Sequence, residues 1–290
     1  MNKLEKLSDY CETRKFMIEE SIRLIDVDSQ KHAGKVVGLW LMPLLIRGTG
    51  VVKDAYFFMR YIDDVLDGDL IIKENPLTSV ENIRGDVLNE NESEEYPVEK
   101  LAFRSLRILN QKRKENDDPK KEFLDGIDGM MRDYKRVEKK EVLTTNELRE
   151  NYVKSFGPHH NISLMAIGSN LRSAGIESFS YCQGFSYGIQ DLSTDWQRGL
   201  INIPRDVLTQ SNLWVDSSVS EVKSSRIVKE WIGDESSKSR VDLNLFLKNI
   251  SSLESEKSAN LLFKMLSKRV EKILESNMQT KKIISVSGNN

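Results

Sequence analysis

Cysteine is nearly absent: Cys11 and Cys182 are the only two in 290 residues, far apart and without metal-type spacing. They suggest neither a disulfide framework nor a zinc site, and a reducing cytoplasm is the expected compartment. An excess of charge of one sign is lacking as well. Lysine and arginine total 43 against 45 aspartates and glutamates, a formal net charge of −2, so no broad positive field exists to capture nucleic acid. Long apolar runs are also missing. The most apolar stretch, Val36 to Ile46, is interrupted by Pro43 and falls well short of the roughly 20 residues needed to cross a bilayer. It reads as a buried helix or a membrane-touching patch. The opening residues mix charges of both signs and hold no apolar core of the kind a secretion signal needs. Alternating β-branched runs and Asn-Gly turns are scarce, and no glycine-rich dinucleotide fingerprint follows a strand.

What is present is apolar periodicity of three and four along almost the whole chain, which predicts an all-α protein. Helices are expected at about 3–24, 34–46, 51–67, 98–114, 119–134, 146–154, 162–171, 176–196, 219–231, 239–249 and 258–277. The breaks fall at Thr49-Gly50, Pro76, Pro97, Asp118-Pro119, Gly157-Pro158 and Gly199 followed by Pro204. The acidic stretch Glu90 to Glu95 reads as a solvated loop. Serine-rich joints at 217–225 and 251–258 are too short to mark a further domain. One domain over 1–280 and a polar, flexible tail over 281–290 are therefore expected.

Two groups of aspartates carry the chemistry. Asp63, Asp64 and Asp67 follow an apolar lead, and the separation of four puts Asp63 and Asp67 one turn apart on one helix face. Asp191 and Asp195 repeat that spacing between Ile189, Leu192 and Trp196. Like charges one turn apart repel, so something cationic should compensate. Two such pairs can face each other across a bundle and share Mg2+, which takes oxygen ligands and bridges carboxylates to phosphates. Lys53, Arg60 and Arg198 lie within a few turns and suit diphosphate oxygens.

These residues resemble the squalene/phytoene synthase family, of the head-to-head prenyl-coupling type. The first signature stands as Ala55, Tyr56, Phe57, Arg60, Asp63, Asp64 and Asp67, and the second as Asp191, Asp195, Arg198, Gly199 and Pro204. Between them, Gly129, Met130, Asp133 and Tyr152 fit the family's central stretch. The chain departs from the pattern at Gly184 and Tyr187, where the family has glutamine and a metal-binding asparagine, and at Gln190, where it has arginine. An early His-Ser-Lys-Ser-Phe element is represented only by the run from Lys31 to Lys35. The family's small-residue kink is here Phe156, Gly157, Pro158, His159, His160 and Asn161, bulk that narrows the channel for prenyl tails.

The resemblance implies an isoprenoid-synthase-like helical bundle with a central cavity, and magnesium-dependent ionisation of a prenyl diphosphate. Asp63, Asp67, Asp191 and Asp195 would hold the metal, with Asp64 in support. Lys53, Tyr56, Arg60 and Arg198 would bind the diphosphate, and Phe156, His159 and Tyr187 the rest of the substrate. Trp40, Phe57, Phe58, Met165, Phe185 and Trp196 are further candidates to line the cation's pocket. Adjacent on the chain, His159 and His160 point apart, which disfavours a metal site using both. The expected outcome is head-to-head condensation of two prenyl diphosphates. The alternatives are transfer of one prenyl group to another acceptor, cyclisation of a single chain, or a non-catalytic assembly protein derived from such enzymes. A cytoplasmic protein is expected, touching membranes through an apolar substrate or product.

Overall fold

The structure, a computed structural model, describes residues 3–27, 29–92 and 98–287, with backbone alone at 3–11, 27, 29–35 and 280–287. Among the described residues there are helices and no strand. They are α1 (Lys3–Val27), α2 (Ser29–Leu45), α3 (Gly50–Asp67), α4 (Pro76–Asn89), α5 (Glu99–Lys112), α6 (Pro119–Lys139) and α7 (Thr145–Ala166). The later ones are α8 (Glu177–Gln190), α9 (Leu192–Arg198), α10 (Arg205–Gln210), α11 (Val219–Ser224), α12 (Arg226–Ser251) and α13 (Lys257–Ser287). The all-α expectation holds.

The chain divides into two compact units, one of residues 1–131 and 161–170 and the other of 132–160 and 171–290. In the first, α3 packs against α1, α2, α4 and α5. Its buried face carries Ala55, Phe58, Met59, Ile62, Val65 and Leu66, and Phe58 meets Phe123 of α6 with ring centroids 5.6 Å apart. In the second, α8, α12 and α13 pack together, with Phe179, Phe246 and Phe263 in mutual contact at 4.8 to 5.3 Å. A neighbouring cluster gathers Leu192, Trp196, Ile201, Ile203, Val207 and Leu208 around α9 and α10.

Several expected boundaries move, for local reasons. Asn75-Pro76 opens a helix as well as closing a loop. The Asn75 side chain accepts from Thr78 N–H at 3.1 Å, and Pro76 takes the first helical position, where no N–H is required. The Gly157-Pro158 break does not occur, because α7 runs through it. Proline there removes the donor to the carbonyl of Lys154, a residue exposed to water. The single helix expected over 176–196 is divided at Asp191. The serine-rich joint at 217–225 supplies caps: Ser218 and Glu221 form a capping box on α11, and Ser225 caps α12. The helix expected over 219–231 is split at Ser225, and α12 then runs unbroken through the gap expected before 239–249. The acidic stretch is exposed at Glu90, Asn91 and Glu92, while its remainder lies outside the described residues. The polar segment 281–287 continues α13.

Candidate functional site

One group of candidate residues forms a stripe of α3. Lys53, Tyr56, Arg60, Asp63 and Asp67 recur at intervals of three and four and are half-buried, while the rest of the helix is largely buried. Arg60 donates to Asp63 at 2.7 Å, also pairs with Asp64, and reaches Asp69 at 3.6 Å. Burial works against the Arg60 charge, yet Asp63, Asp64, Tyr56 and Asp67 together hold its pKa above the usual value. Arg60 is therefore the compensating cation that the like-charged spacing requires. Lys53 is committed elsewhere. Its ammonium lies 3.8 Å from the ring centroid of Trp40, and burial pulls its pKa down. Tyr56 meets Phe57 edge to face at 5.6 Å.

Asp64 differs from its neighbours in being fully buried. One carboxylate oxygen pairs with Arg60 and the other with Arg23 of α1, which also holds Glu20 at 2.8 Å. Burial raises the Asp64 pKa against the pull of both guanidiniums. Behind the stripe, buried Asp54 is held by Arg104 of α5, at 2.8 Å from Nε and 2.6 Å from the second guanidinium nitrogen. Arg104 in turn donates to Thr13 at 2.6 Å. Arg23 and Arg104 carry no local mark in the sequence, since they lie far along the chain from the acids they neutralise.

A second group of candidate residues stands at the α8–α9 junction. Asp191 ends α8 and begins α9, and Asp195 N–H donates to its carbonyl at 2.9 Å. The one-turn relation of the two acids thus survives the break. Asn202 donates to the Asp195 carboxylate at 2.9 Å. Arg198 closes α9, and Gly199 follows in the left-handed region at φ 91°. Gly199 N–H bonds the Trp196 carbonyl and Leu200 N–H the Asp195 carbonyl, at 3.1 and 2.9 Å, a Schellman ending that only a residue tolerant of positive φ completes without strain.

Around these acids lies a network that the sequence barely marks. Buried Arg136 donates to Asp133 at 2.8 Å and to the Ile201 carbonyl at 2.8 Å. Asn151 donates to Asp133 at 3.2 Å and accepts from Arg132 at 3.2 Å. Burial raises the Tyr152 pKa, with Arg136 opposing and Asp195 and Asp133 adding to it. Arg269 of α13 donates to Gln190 Oε1 at 3.2 Å and stands 5.5 Å from the Tyr187 ring centroid. A guanidinium is thereby set beside Gln190, the position where the resembling family carries arginine.

The remaining candidates in this unit fall into an aromatic group. Tyr187 meets Phe156 edge to face at 5.9 Å, and burial raises its pKa. His159 is half-buried, and burial pushes its pKa down to about 4. His160 is pinned at both ring nitrogens, by Ser180 and Gln183, each at 2.8 Å. Several suggested pocket residues are core residues: Phe185 packs edge to face on Trp231 at 5.8 Å, and Trp196 donates to the Ser217 carbonyl at 2.8 Å.

Asp63 and Asp67, and likewise Asp191 and Asp195, present half-buried carboxylate oxygens, the hard donors that magnesium takes. Asp64 does not fit that role, since arginines take both of its oxygens. Among the described residues no group of three His, Cys, Asp or Glu side chains forms a ready metal cluster. None of the described helices is long and apolar enough to cross a membrane.

The helical architecture is of the isoprenoid-synthase-like kind. It matches the crystal structure of squalene synthase HpnC from Alicyclobacillus acidocaldarius with a TM-score of 0.62 over 97% of each chain, at 16% sequence identity. At that identity the likeness establishes the fold. No family model and no curated protein matches the chain.

Proposed function

We propose that this chain is a prenyltransferase that ionises a prenyl diphosphate and couples the resulting cation head to head with a second prenyl chain. The observation that carries the reading is the α3 stripe, where Arg60 is held against Asp63 one turn before Asp67. Support comes from the second acid pair at Asp191 and Asp195 and from the fold shared with a squalene synthase.

Asp63, Asp67, Asp191 and Asp195 would hold magnesium, which when bound would neutralise charge on the departing diphosphate. Arg60, Arg198 and Tyr56 would bind diphosphate oxygens by charge-assisted hydrogen bonds. The allylic carbon–oxygen bond breaks with its electron pair leaving on the diphosphate, and the carbocation rests against aromatic faces such as those of Phe156 and Tyr187. Asp64, fixed by Arg23 and Arg60, positions the Arg60 guanidinium and ligates nothing. Lys53 contributes charge from its seat on Trp40.

A second reading, in which one prenyl chain is cyclised or passed to another acceptor, is favoured by the meeting of Phe156 with Tyr187, which reduces the room for a second chain. One experiment separates the readings. The purified protein is incubated with prenyl diphosphates of increasing length, with magnesium and then with a chelator, and both released diphosphate and hydrocarbon are measured. A dimeric hydrocarbon formed only with metal is expected. A monomeric cyclic or acceptor-linked product would replace coupling by the second reading, and no release at any length would leave an assembly protein.

A further inference from the structure

Two pairs of side chains, each pair one turn apart on its own helix, close a ring between α7 and α8. Phe156 and His160 stand on α7, and Gln183 and Tyr187 on α8. The Phe156 ring lies 6.5 Å from that of His160 and 5.9 Å from that of Tyr187, centroid to centroid. Opposite this aromatic side, His160 bonds Gln183 at 2.8 Å.

Hydrogen-bonding capacity assigns the protons in this ring. Gln183 presents its carbonyl Oε1 to His160 Nε2, and a carbonyl only accepts, so Nε2 carries the hydrogen. Burial keeps the imidazole neutral. Nδ1 is therefore an acceptor, and the Ser180 hydroxyl donates to it at 2.8 Å. With Oε1 turned to the histidine, Gln183 has its amide NH2 for Tyr187, and a hydrogen bond from Gln183 opposes the rise that burial gives the Tyr187 pKa. The phenol oxygen thus accepts on the Gln183 side and directs its own hydrogen elsewhere. Ser180, His160 and Gln183 are exposed at 0%, 4% and 9%, so water does not compete for these bonds, while Tyr187 is half-buried.

Charge gathers at Tyr187 from two elements. Arg269 of α13 stands 5.5 Å from the Tyr187 ring centroid. Asp191 follows one turn later, its N–H bonded to the Tyr187 carbonyl at 2.9 Å. An O–H donor beside a guanidinium is the chemistry that takes an anionic oxygen. We infer that Ser180, His160 and Gln183 are positioning residues that fix the Tyr187 hydroxyl as a hydrogen-bond donor to a phosphate oxygen of the substrate. The inference rests on the proposed reading, in which a prenyl diphosphate binds beside Asp191.

Two measurements test it. Heteronuclear NMR of the imidazole nitrogens in the wild-type protein near neutral pH should find the His160 hydrogen on Nε2, and the Nδ1 tautomer would overturn the inference. Binding of inorganic diphosphate with magnesium is then measured by calorimetry. Tyr187→Phe should weaken it by about tenfold or more. Gln183→Met, which keeps the bulk and removes both bonds, should weaken it by about threefold or more in the wild type, and without further loss in a Tyr187→Phe background. Undiminished binding by either single variant, or equal losses from Gln183→Met in both backgrounds, would overturn the inference and leave the proposed function standing. No diphosphate binding by the wild type would overturn both.

Discussion

The ring of Tyr152 fills the space above Gly184. A Cβ placed on Gly184 would stand 2.6 Å from the Tyr152 Cβ and 2.8 Å from its ring carbons, closer than real contacts allow, and a Cβ on Gly188 would meet the Tyr152 hydroxyl. The two glycines of α8 are therefore a groove for one side chain of α7. The glutamine that the squalene/phytoene synthase pattern places at 184 cannot be restored while Tyr152 stays where it is. Gly184→Ala should cost about 1–3 kcal/mol by overpacking, read as a lowered melting temperature. Paired with Tyr152→Ala, the alanine should cost much less than on its own, and strict additivity in that double-mutant cycle would remove the groove from the account.

Tyr152→Phe is expected to leave stability within about 1 kcal/mol, because the buried hydroxyl has no hydrogen-bond partner to lose. A larger drop in a denaturant titration would show that the hydroxyl is bonded after all.

The acids of α3 should separate into two behaviours. Asp63→Asn changes a half-buried carboxylate on the open stripe, so the fold should survive while diphosphate release falls by orders of magnitude. Asp64→Ala leaves the Arg23 and Arg60 guanidiniums without their shared buried partner and should cost about 3–5 kcal/mol. Melting curves beside turnover for both variants check the division, and a stable Asp64→Ala protein would contradict the buried pairing.

Arg104→Ala strips buried Asp54 of its bidentate partner, and a loss of about 3–5 kcal/mol is expected. The companion change Asp54→Asn in the same protein should recover part of that loss, since an amide tolerates burial better than an unpaired carboxylate.

Acid should destabilise the fold through His160. Burial lowers its pKa from the usual 6.5 to about 4, so the unfolded chain takes the proton first. The contribution is present above 6.5, is lost as pH falls toward 4, and levels off below that, amounting to about 3 kcal/mol. Asp54 and Asp64, whose pKa values burial raises, act in the opposite sense, gaining stability on protonation. The difference between wild type and His160→Gln isolates the histidine. A difference that does not change between pH 7 and 4.5 would refute its burial in the neutral form.

The acid pairs were legible because four-residue spacing on a helix is a local property: Asp63 and Asp67 share a face whatever the rest of the chain does. Even the break at Asp191 left its relation to Asp195 intact, since the Asp195 N–H to Asp191 carbonyl bond spans the junction. Boundaries were less legible where one residue type serves two purposes. Asn75-Pro76 and Ser225 read as loop chemistry, and the same side chains that end a loop also cap the helix after it.

The sequence by itself determined the all-α class and the two carboxylate pairs, because helical periodicity and one-turn spacing are set within a few residues along the chain. Only the tertiary structure decided which acid is available. Asp63 and Asp64 are adjacent and chemically identical, yet Arg23, brought from α1, takes an oxygen of Asp64 and buries it, while Asp63 stays on the half-exposed stripe. The Tyr152 groove, the Arg104–Asp54 pair and the approach of Arg269 to Gln190 were decided in the same way. Each joins residues distant in sequence, and a burial cost or a charge partner depends on what packing brings within a few ångströms.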